Sequence, residues 1–502
     1  MPAEMVENLD LKLAAQQEGT ASRNLLPPEP WQDILVVNSE KFADWVSLRL
    51  KAGAKNHPGV IVSAKKPRQG IRPVPVIGIA ERIAYRALTA YILSNIPEPQ
   101  RSADDYRNFV GGPIWASFPK GTGLRRLGDA TAKYVVEADV TAFYQYIDHD
   151  ILLEELYLQT SKVTESQYLS ELVGEVQGAS FGLPQLLDPS DRLSEAYINI
   201  ATRDVVRRGI QVWRYNDDIR VTAKSYNEAL SRLETISTSV AKIGLVLNEG
   251  KTNILKFFTY FINNVDNAPD DEEAQINPSD IPLTTGNYPD LDAEEIVDEA
   301  RSVVQSVRID SKDKGIISLK GLNRDDARRI RRSITALTLS EDPSAFSIVV
   351  NVMLFAPDLT PRVSEYLVAL SKAEPALVEA TWDELTTKHD EVLSEWQKIW
   401  LVYVARSIGI LNSKPARRVA WMKKQLEKSN IEALHAEASL TLSTIGEIDF
   451  EQLDTSLRVR PEPLSPWYVL GIKNLDGLGK VDSKMLQAVK DSATMYQLLI
   501  EG

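Results

Sequence analysis

The sequence predicts an α+β domain followed by an all-helical domain, with a polar stretch between them. Three observations predict this. Before residue 262, short β-like runs mix with amphipathic helical spacing. Residues 263–289 are acidic and punctuated by proline, with Asn263, Asn264, Asp266, Asp270, Asp271, Glu272, Glu273, Pro278 and Pro282, and carry no apolar stripe. Beyond residue 290, apolar side chains recur at helical spacing almost throughout. The expected organisation is therefore 1–262, a linker over 263–289, and 290–502.

Taken in order, Tyr134–Ala138 and Gln211–Tyr215 read as short strands, each leading into aspartate. Tyr226–Ile243 reads as an amphipathic helix, followed by a turn at Gly244 and a strand-like Leu245–Leu247. After the linker, Asp292 and Glu295 have the spacing of a capping box. Ile296, Val297, Ala300, Val303, Val304 and Val307 then repeat on one helical face. Asn323 opens a second such stretch, with Ala327, Ile330, Ile334 and Leu337 on one side. A third runs through Val392, Trp396, Ile399, Trp400 and Tyr403. Pro343, Pro357, Pro361, Pro375 and Pro415 fall at helix junctions, which suggests stacked helix pairs of the α-solenoid, HEAT-like kind, although no fixed period accompanies them.

Composition narrows the chemistry. The 502 residues include no cysteine, which excludes disulfides and thiolate metal sites. The four histidines, His57, His149, His389 and His435, show no ligand spacing, so no zinc site is expected. Met1–Thr20 has no apolar signal-peptide core, and no run approaches the ~18 apolar residues of a membrane span, so a cytoplasmic location is expected. The net charge is −13. Residues 1–260 hold 30 basic against 31 acidic side chains, and the remainder holds 27 against 39. Residues 51–130 alone carry 13 basic against 5 acidic. Gripping a nucleic-acid duplex needs arrayed cations, and only the first half offers them.

Phosphoryl transfer from a nucleoside triphosphate uses two hard cations held by carboxylates. The sequence has four Asp-Asp pairs: Asp104-Asp105, Asp217-Asp218, Asp270-Asp271 and Asp325-Asp326. Most such pairs are solvated surface. Context separates Asp217-Asp218, which stands where two apolar runs, Val212–Tyr215 and Ile219–Val221, meet at a polar turn. A hairpin of that form presents two carboxylates to a cleft. Asp139 ends another apolar run and opens Asp-Val-Thr-Ala-Phe-Tyr-Gln-Tyr-Ile-Asp-His, so adjacent strands would bring it beside Asp217.

These two segments resemble motifs A and C of reverse transcriptases. Gly182-Leu183-Pro184-Gln185, with Ser190 and Ala196-Tyr197, resembles motif B, and Gly244–Thr252 resembles motif D. Arg72-Pro73-Val74-Pro75 and Glu81–Arg86 are similar to the basic fingers motif. The resemblance implies an α+β fingers and palm domain acting on deoxynucleoside triphosphates with magnesium, or manganese in its place. Asp139, Asp217 and Asp218 would be the metal carboxylates, with the backbone carbonyl of Val140. Tyr144 would be the steric gate against a 2′-hydroxyl, and Gln185 would touch the incoming nucleotide. Arg82, with Lys65 or Lys66, would clasp the triphosphate, and Lys251 would donate a proton to the pyrophosphate. On the bland alternative, Tyr144 is core packing, and Lys251 and the fingers cations are solvated surface.

Three departures narrow the type. Leu186 and Leu187 stand where motif B usually has glycine after Pro-Gln. Only Phe257–Phe261 separates motif D from the acidic linker, so no thumb is evident. Nothing resembles a maturase, endonuclease or RNase H extension. A polymerase core with a helical second half resembles the abortive-infection reverse transcriptases of bacterial anti-phage defence, of the type carried by P-two-like prophages. That resemblance implies untemplated synthesis primed from a protein hydroxyl, single-stranded DNA left covalently attached, a homo-oligomer of three or more chains, and a phage factor as trigger or target. The alternatives are a templated enzyme of retron-like or group II-like kind, and a non-catalytic helical scaffold or sensor for a phage protein.

Overall fold

The computed structural model describes residues 1–23, 25–67, 70–98, 102–118, 130–264, 293–428 and 431–502. Its strands are β1 (Val60–Lys65), β2 (Ile71–Val76), β3 (Tyr134–Asp139), β4 (Trp213–Tyr215), β5 (Asp218–Ala223) and β6 (Asn253–Lys256). A two-residue parallel pairing of Val307–Arg308 with Ile317–Ser318 follows. The chain forms two compact units, one from Ala3–Leu9 and Tyr85–Gly286, the other from Asp10–Ala84 and Asn287–Gly502.

In the first unit the strands lie in the order β4-β5-β3-β6, each neighbouring pair antiparallel. β5 alternates buried Ile219, Val221 and Ala223 with half-buried Asp218, Arg220 and Thr222, the period-two pattern of a sheet with two unlike faces. One face is covered by the helix Tyr226–Ala241, which in turn packs on Asp188–Arg207. The other face carries Val135 into a cluster with Ile114, Phe118, Ala130, Ala132, Phe257 and Tyr260. Helices His149–Thr160 and Val163–Gln177 pair with each other, and the first of them packs on Asp188–Arg207.

The second unit joins the N-terminal helices and the β1–β2 hairpin to the helical C-terminal half. Residues 10–84, expected with the polymerase half, pack here. Trp396 Nε1 donates to the Leu25 carbonyl at 2.6 Å, and β1 packs on helices Glu395–Ile408 and Glu432–Ser443. Pro73 and Pro75 sit in β2 of a two-stranded sheet, where an edge tolerates a missing N–H. Along the C-terminal half every second helix touches the next. Arg324–Leu339 packs on Thr360–Ala369, that on Glu395–Ile408, that on Glu432–Ser443, and that on Ser465–Gly477. The prolines work as the sequence predicts. Pro343 and Pro357 start 3-10 turns, and Pro361 and Pro375 fall in first helical turns, where an N–H is not needed.

Several element bounds differ from expectation. β3 runs one residue further, to Asp139. Leu245–Leu247 makes one bridge, Val140 with Leu247, because Lys251 N and Thr252 N both turn back to the Asn248 carbonyl. Asn263 and Asn264, expected in the linker, end the helix Phe257–Asn264, and Asn264 Nδ2 bonds the Tyr260 carbonyl. The rest of that linker, with Asp292 of the expected capping box, lies outside the described residues.

Candidate active site

The site starts from strand pairing. In the β3–β5 register Asp139 faces Asp218, Glu137 faces Arg220 and Val135 faces Thr222. The pleat therefore sets Asp139 and Asp218 side by side on the face that also holds Glu137 and Arg220. Asn216 and Asp217 form the two-residue turn between β4 and β5, and Asn216 adopts a φ of 56°, which asparagine tolerates better than most residues. The turn is fastened to the end of β3 by Val140 N donating to the Asp217 carbonyl at 3.3 Å. The sequence placed Asp139 beside Asp217. The direct cross-strand partner is Asp218, and Asp217 caps the pair from the turn.

Motif D closes the group. Asn248 N donates to the Asp139 carbonyl at 2.7 Å and Thr141 N to the Val246 carbonyl at 2.8 Å, so this segment lies against the end of β3. The tight turn after Asn248 then brings Lys251 Nζ to 2.7 Å from Asp139 Oδ1. Asp139 is 4 % exposed. Burial first, then the charges of Asp217 and Asp139, push the Asp218 carboxyl up to about 6, against Arg220 and Lys251. A carboxyl raised by burial and by two neighbouring carboxylates marks a place short of positive charge, which suits divalent cations with oxygen ligands.

Tyr144 follows Ala142, whose φ is 47°, in a 3-10 turn over Phe143–Gln145. Its hydroxyl donates to Asp191 Oδ1 at 2.5 Å and lies 3.5 Å from Asn216 Oδ1. Its ring is half-buried and tethered at the tip, unlike a core tyrosine. Gln185 and Leu186 form the motif B turn, and Leu186 has a φ of 64°. The left-handed backbone that favours glycine is thus present at the position where this sequence has leucine.

Sequence reasoning quoted most of the residues that hold the motifs together as parts of those motifs, but gave them no role and passed over Asp191. Asp148 caps the helix His149–Thr160 by accepting from Asp150 N and Ile151 N. His149 Nε2 bonds the Gly182 carbonyl at 2.7 Å, tying motif A to motif B, and burial pulls its pKa down. Tyr197 donates to the Ile243 carbonyl at 2.6 Å and accepts from Asp148 N. Asp191, the tether of Tyr144, lies in the first turn of the same helix as Tyr197 and is flanked by Ser190, which shares a hydrogen bond with Tyr85. The Ile-Asp-His ending of motif A, and Ser190 and Tyr197 in motif B, were the visible signals for this frame.

The remaining candidates belong to the second unit. Lys65 ends β1 opposite Ile71. Arg82 is 1 % exposed and bound through Nε to Glu18 at 2.7 Å and through Nη1 to Glu29, with Trp31 5.0 Å from its guanidinium carbon. A guanidinium buried between two carboxylates is engaged in structure rather than offered to a phosphate. Two of the other Asp-Asp pairs serve helix starts. Asp105 completes a capping box with Ser102, and Asp326 N bonds the Asn323 side chain. Asp270-Asp271 lies outside the described residues.

An antiparallel sheet offering carboxylates from a strand end and a hairpin turn, beside a tethered tyrosine, defines a palm-type nucleotidyltransferase. Residues 64–276 match the family Reverse transcriptase (RNA-dependent DNA polymerase). The chain therefore contains a reverse transcriptase domain and is an enzyme of the RNA-directed DNA polymerase-like nucleotidyltransferase class. Among solved structures it is similar to telomerase from Candida albicans in complex with a TWJ fragment of telomeric RNA, at 11% identity over 73% of this chain and 70% of that one, TM-score 0.31. It is also similar to telomerase from Candida tropicalis with such a fragment, at 10% identity over 74% and 68%, TM-score 0.32. Apo telomerase from Candida tropicalis aligns at 10% identity over 80% and 74%, TM-score 0.30. The curated proteins give no match. No helix among the described residues is long and apolar enough to cross a membrane.

Proposed function

We propose that this enzyme adds deoxynucleotides without a nucleic-acid template, primes on a protein hydroxyl, and acts in abortive-infection defence against phage. The observation that carries the polymerase reading is the meeting of Asp139, Asp217 and Asp218, with Tyr144 of motif A tethered to Asp191 after motif B and lying beside Asn216 of motif C. Magnesium or manganese ions, when bound by these carboxylates and the Val140 carbonyl, supply charge for attack on the α-phosphate and for departure of pyrophosphate. Lys251, 46% exposed and resting on Asp139, holds a proton at Nζ that it can deliver to the leaving group. Tyr144, fixed by Asp191, sets a wall against a 2′-hydroxyl. Gln185 lies in the motif B turn, within reach of the nucleotide on this reading.

Leu186 supports the untemplated part of the reading, since a leucine side chain fills a turn that in the resembled motif B is left bare by glycine. The alternate packing of helices in the C-terminal half supports an α-solenoid of HEAT-like form, and the resemblance adds a homo-oligomer with attached single-stranded DNA. The test is incubation of purified, nuclease-treated protein with magnesium and labelled dNTPs, without template or primer, followed by a denaturing gel. Label that migrates with the protein and is lost in Asp217→Ala supports the proposal. Label that requires added RNA returns the chain to templated synthesis. Protection from phage that survives Asp217→Ala would assign defence to the helical half as a scaffold.

A further inference from the structure

The second unit holds another group of metal donors, built from three separate parts of the chain. His57 precedes β1, Glu81 lies in the first turn of the helix Ile79–Ile92, and Glu462 opens a 3-10 turn before Ser465–Gly477. One donor atom of each lies within 4.8 Å of the other two. His57 Nδ1 is 3.4 Å from Glu81 Oε1 and 3.5 Å from Glu462 Oε2. Hydrogen bonds between such groups fall at about 2.7–3.2 Å, and both contacts are longer than that, while Glu81 Oε1 also accepts from His57 N at 3.2 Å. His57 Nδ1 and Glu462 Oε2 are both shut off from solvent and make no hydrogen bond.

The spacing has a different natural explanation. Ligands at about 2.1 Å from a tetrahedral ion are separated from one another by roughly 3.4 Å. The two edges that meet at His57 have that length. The backbone also makes room. A Cβ on Gly78 would stand 2.3 Å from Glu81 Oε2 and 3.0 Å from Glu462 Oε2, so only glycine lets both carboxylates crowd this point. Glu81 is 1 % exposed, and Arg49 lies 3.6 Å from its Oε1. Two carboxylates this close, one fully buried, need positive charge between them.

We propose that His57, Glu81 and Glu462 bind a zinc ion, with water in the fourth position. One imidazole nitrogen and two carboxylate oxygens suit zinc's mixed preference. The ion fastens the C-terminal turn at Glu462 to the base of the β1–β2 hairpin. In a chain without cysteine it takes the place of a cross-link.

The test uses the full chain carrying Asp217→Ala, which weakens the oxygen-only polymerase site. The protein is stripped with a chelator and titrated with Co2+, whose four-coordinate complexes absorb strongly in the visible. One equivalent should produce that absorption, and Zn2+ should abolish it and raise the Tm. Glu462→Gln or His57→Gln should weaken cobalt binding by roughly tenfold or more. X-ray absorption on the zinc-loaded chain should show a first shell of nitrogen and oxygen with one imidazole, which decides the matter even if both variants fold poorly. Absence of visible absorption and of a zinc-dependent Tm shift would overturn the site and leave an imidazolium–carboxylate cluster. Absorption that persists unchanged in both folded variants would overturn it equally.

Discussion

Asp139 and Asp218 face each other across neighbouring strands, and like charges so placed destabilise a sheet. The arrangement lowers stability in the metal-free chain, and on the proposed function it is kept as a place to hold cations. Asp218→Asn should therefore raise the metal-free stability by on the order of 1 kcal/mol, and with it the Tm, while abolishing nucleotide addition. Scanning calorimetry in chelator beside a polymerase assay checks both halves, and a lower Tm would mean that the carboxylate is structurally needed. Leu186 carries a related cost. A left-handed φ is unfavourable for a residue with a Cβ by about 1–2 kcal/mol, so Leu186→Gly should stabilise the chain by about 1 kcal/mol after lost contacts are discounted. If its side chain is what keeps a template out, the same variant should respond more to added RNA than the parent does. An equal response in both would remove Leu186 from the account of untemplated synthesis.

One helix braces the β4–β5 hairpin. Tyr106 and Phe109 of Ala103–Trp115 pack on Tyr215, with ring centroids 5.3 Å and 5.9 Å away, and Gly112 lies under Trp213. A Cβ on Gly112 would come within 2.2 Å of the indole, so Gly112→Ala must push β4 aside and with it the Asn216–Asp217 turn. A loss of about 2 kcal/mol and a fall in kcat are expected, both partly restored when Trp213→Leu is added. Urea melts and initial rates on the two single variants and the double variant give the coupling; simple additivity would rule out the contact as the cause. This brace also shows where sequence reading stops. Strands at Tyr134 and Trp213 were legible because apolar runs end in aspartate, and the Asp217-Asp218 turn because two such runs meet there. Asn323 and the prolines were legible because caps and breakers act locally. Gly112 and the Glu18–Arg82–Glu29 cluster carry no local pattern, since each depends on a partner far along the chain. For the same reason the sequence could not assign residues 10–84 to the helical unit, or pair Asp139 with Asp218 rather than Asp217.

At the scale of the whole molecule, the helical unit carries a buried histidine whose titration links its stability to pH. His435 is 8 % exposed, with Nδ1 3.0 Å from the Tyr468 hydroxyl and 3.4 Å from Ser439 Oγ. Arg460 and Glu432, bonded to each other, are the charged groups facing it. Burial first, and then Arg460, hold its pKa down to about 4, against a weaker upward pull from Glu432. The unfolded chain has an ordinary imidazole near 6.5 and takes up the proton first as pH falls. The folded unit is thus fully supported above about pH 6.5, and that support is lost as pH drops towards 4, by at most on the order of 3 kcal/mol from this residue. His435→Gln keeps a partner for Tyr468 and cannot titrate. Its Tm should match the parent's near pH 7.5 or sit slightly below it, and should fall less between pH 6.5 and 4.5. Calorimetry across that range isolates the histidine from the carboxylates, which titrate alike in both proteins. Parallel curves would show that His435 is protonated equally in the folded and unfolded chains, and the acid sensitivity of the unit would then belong to its buried ion pairs.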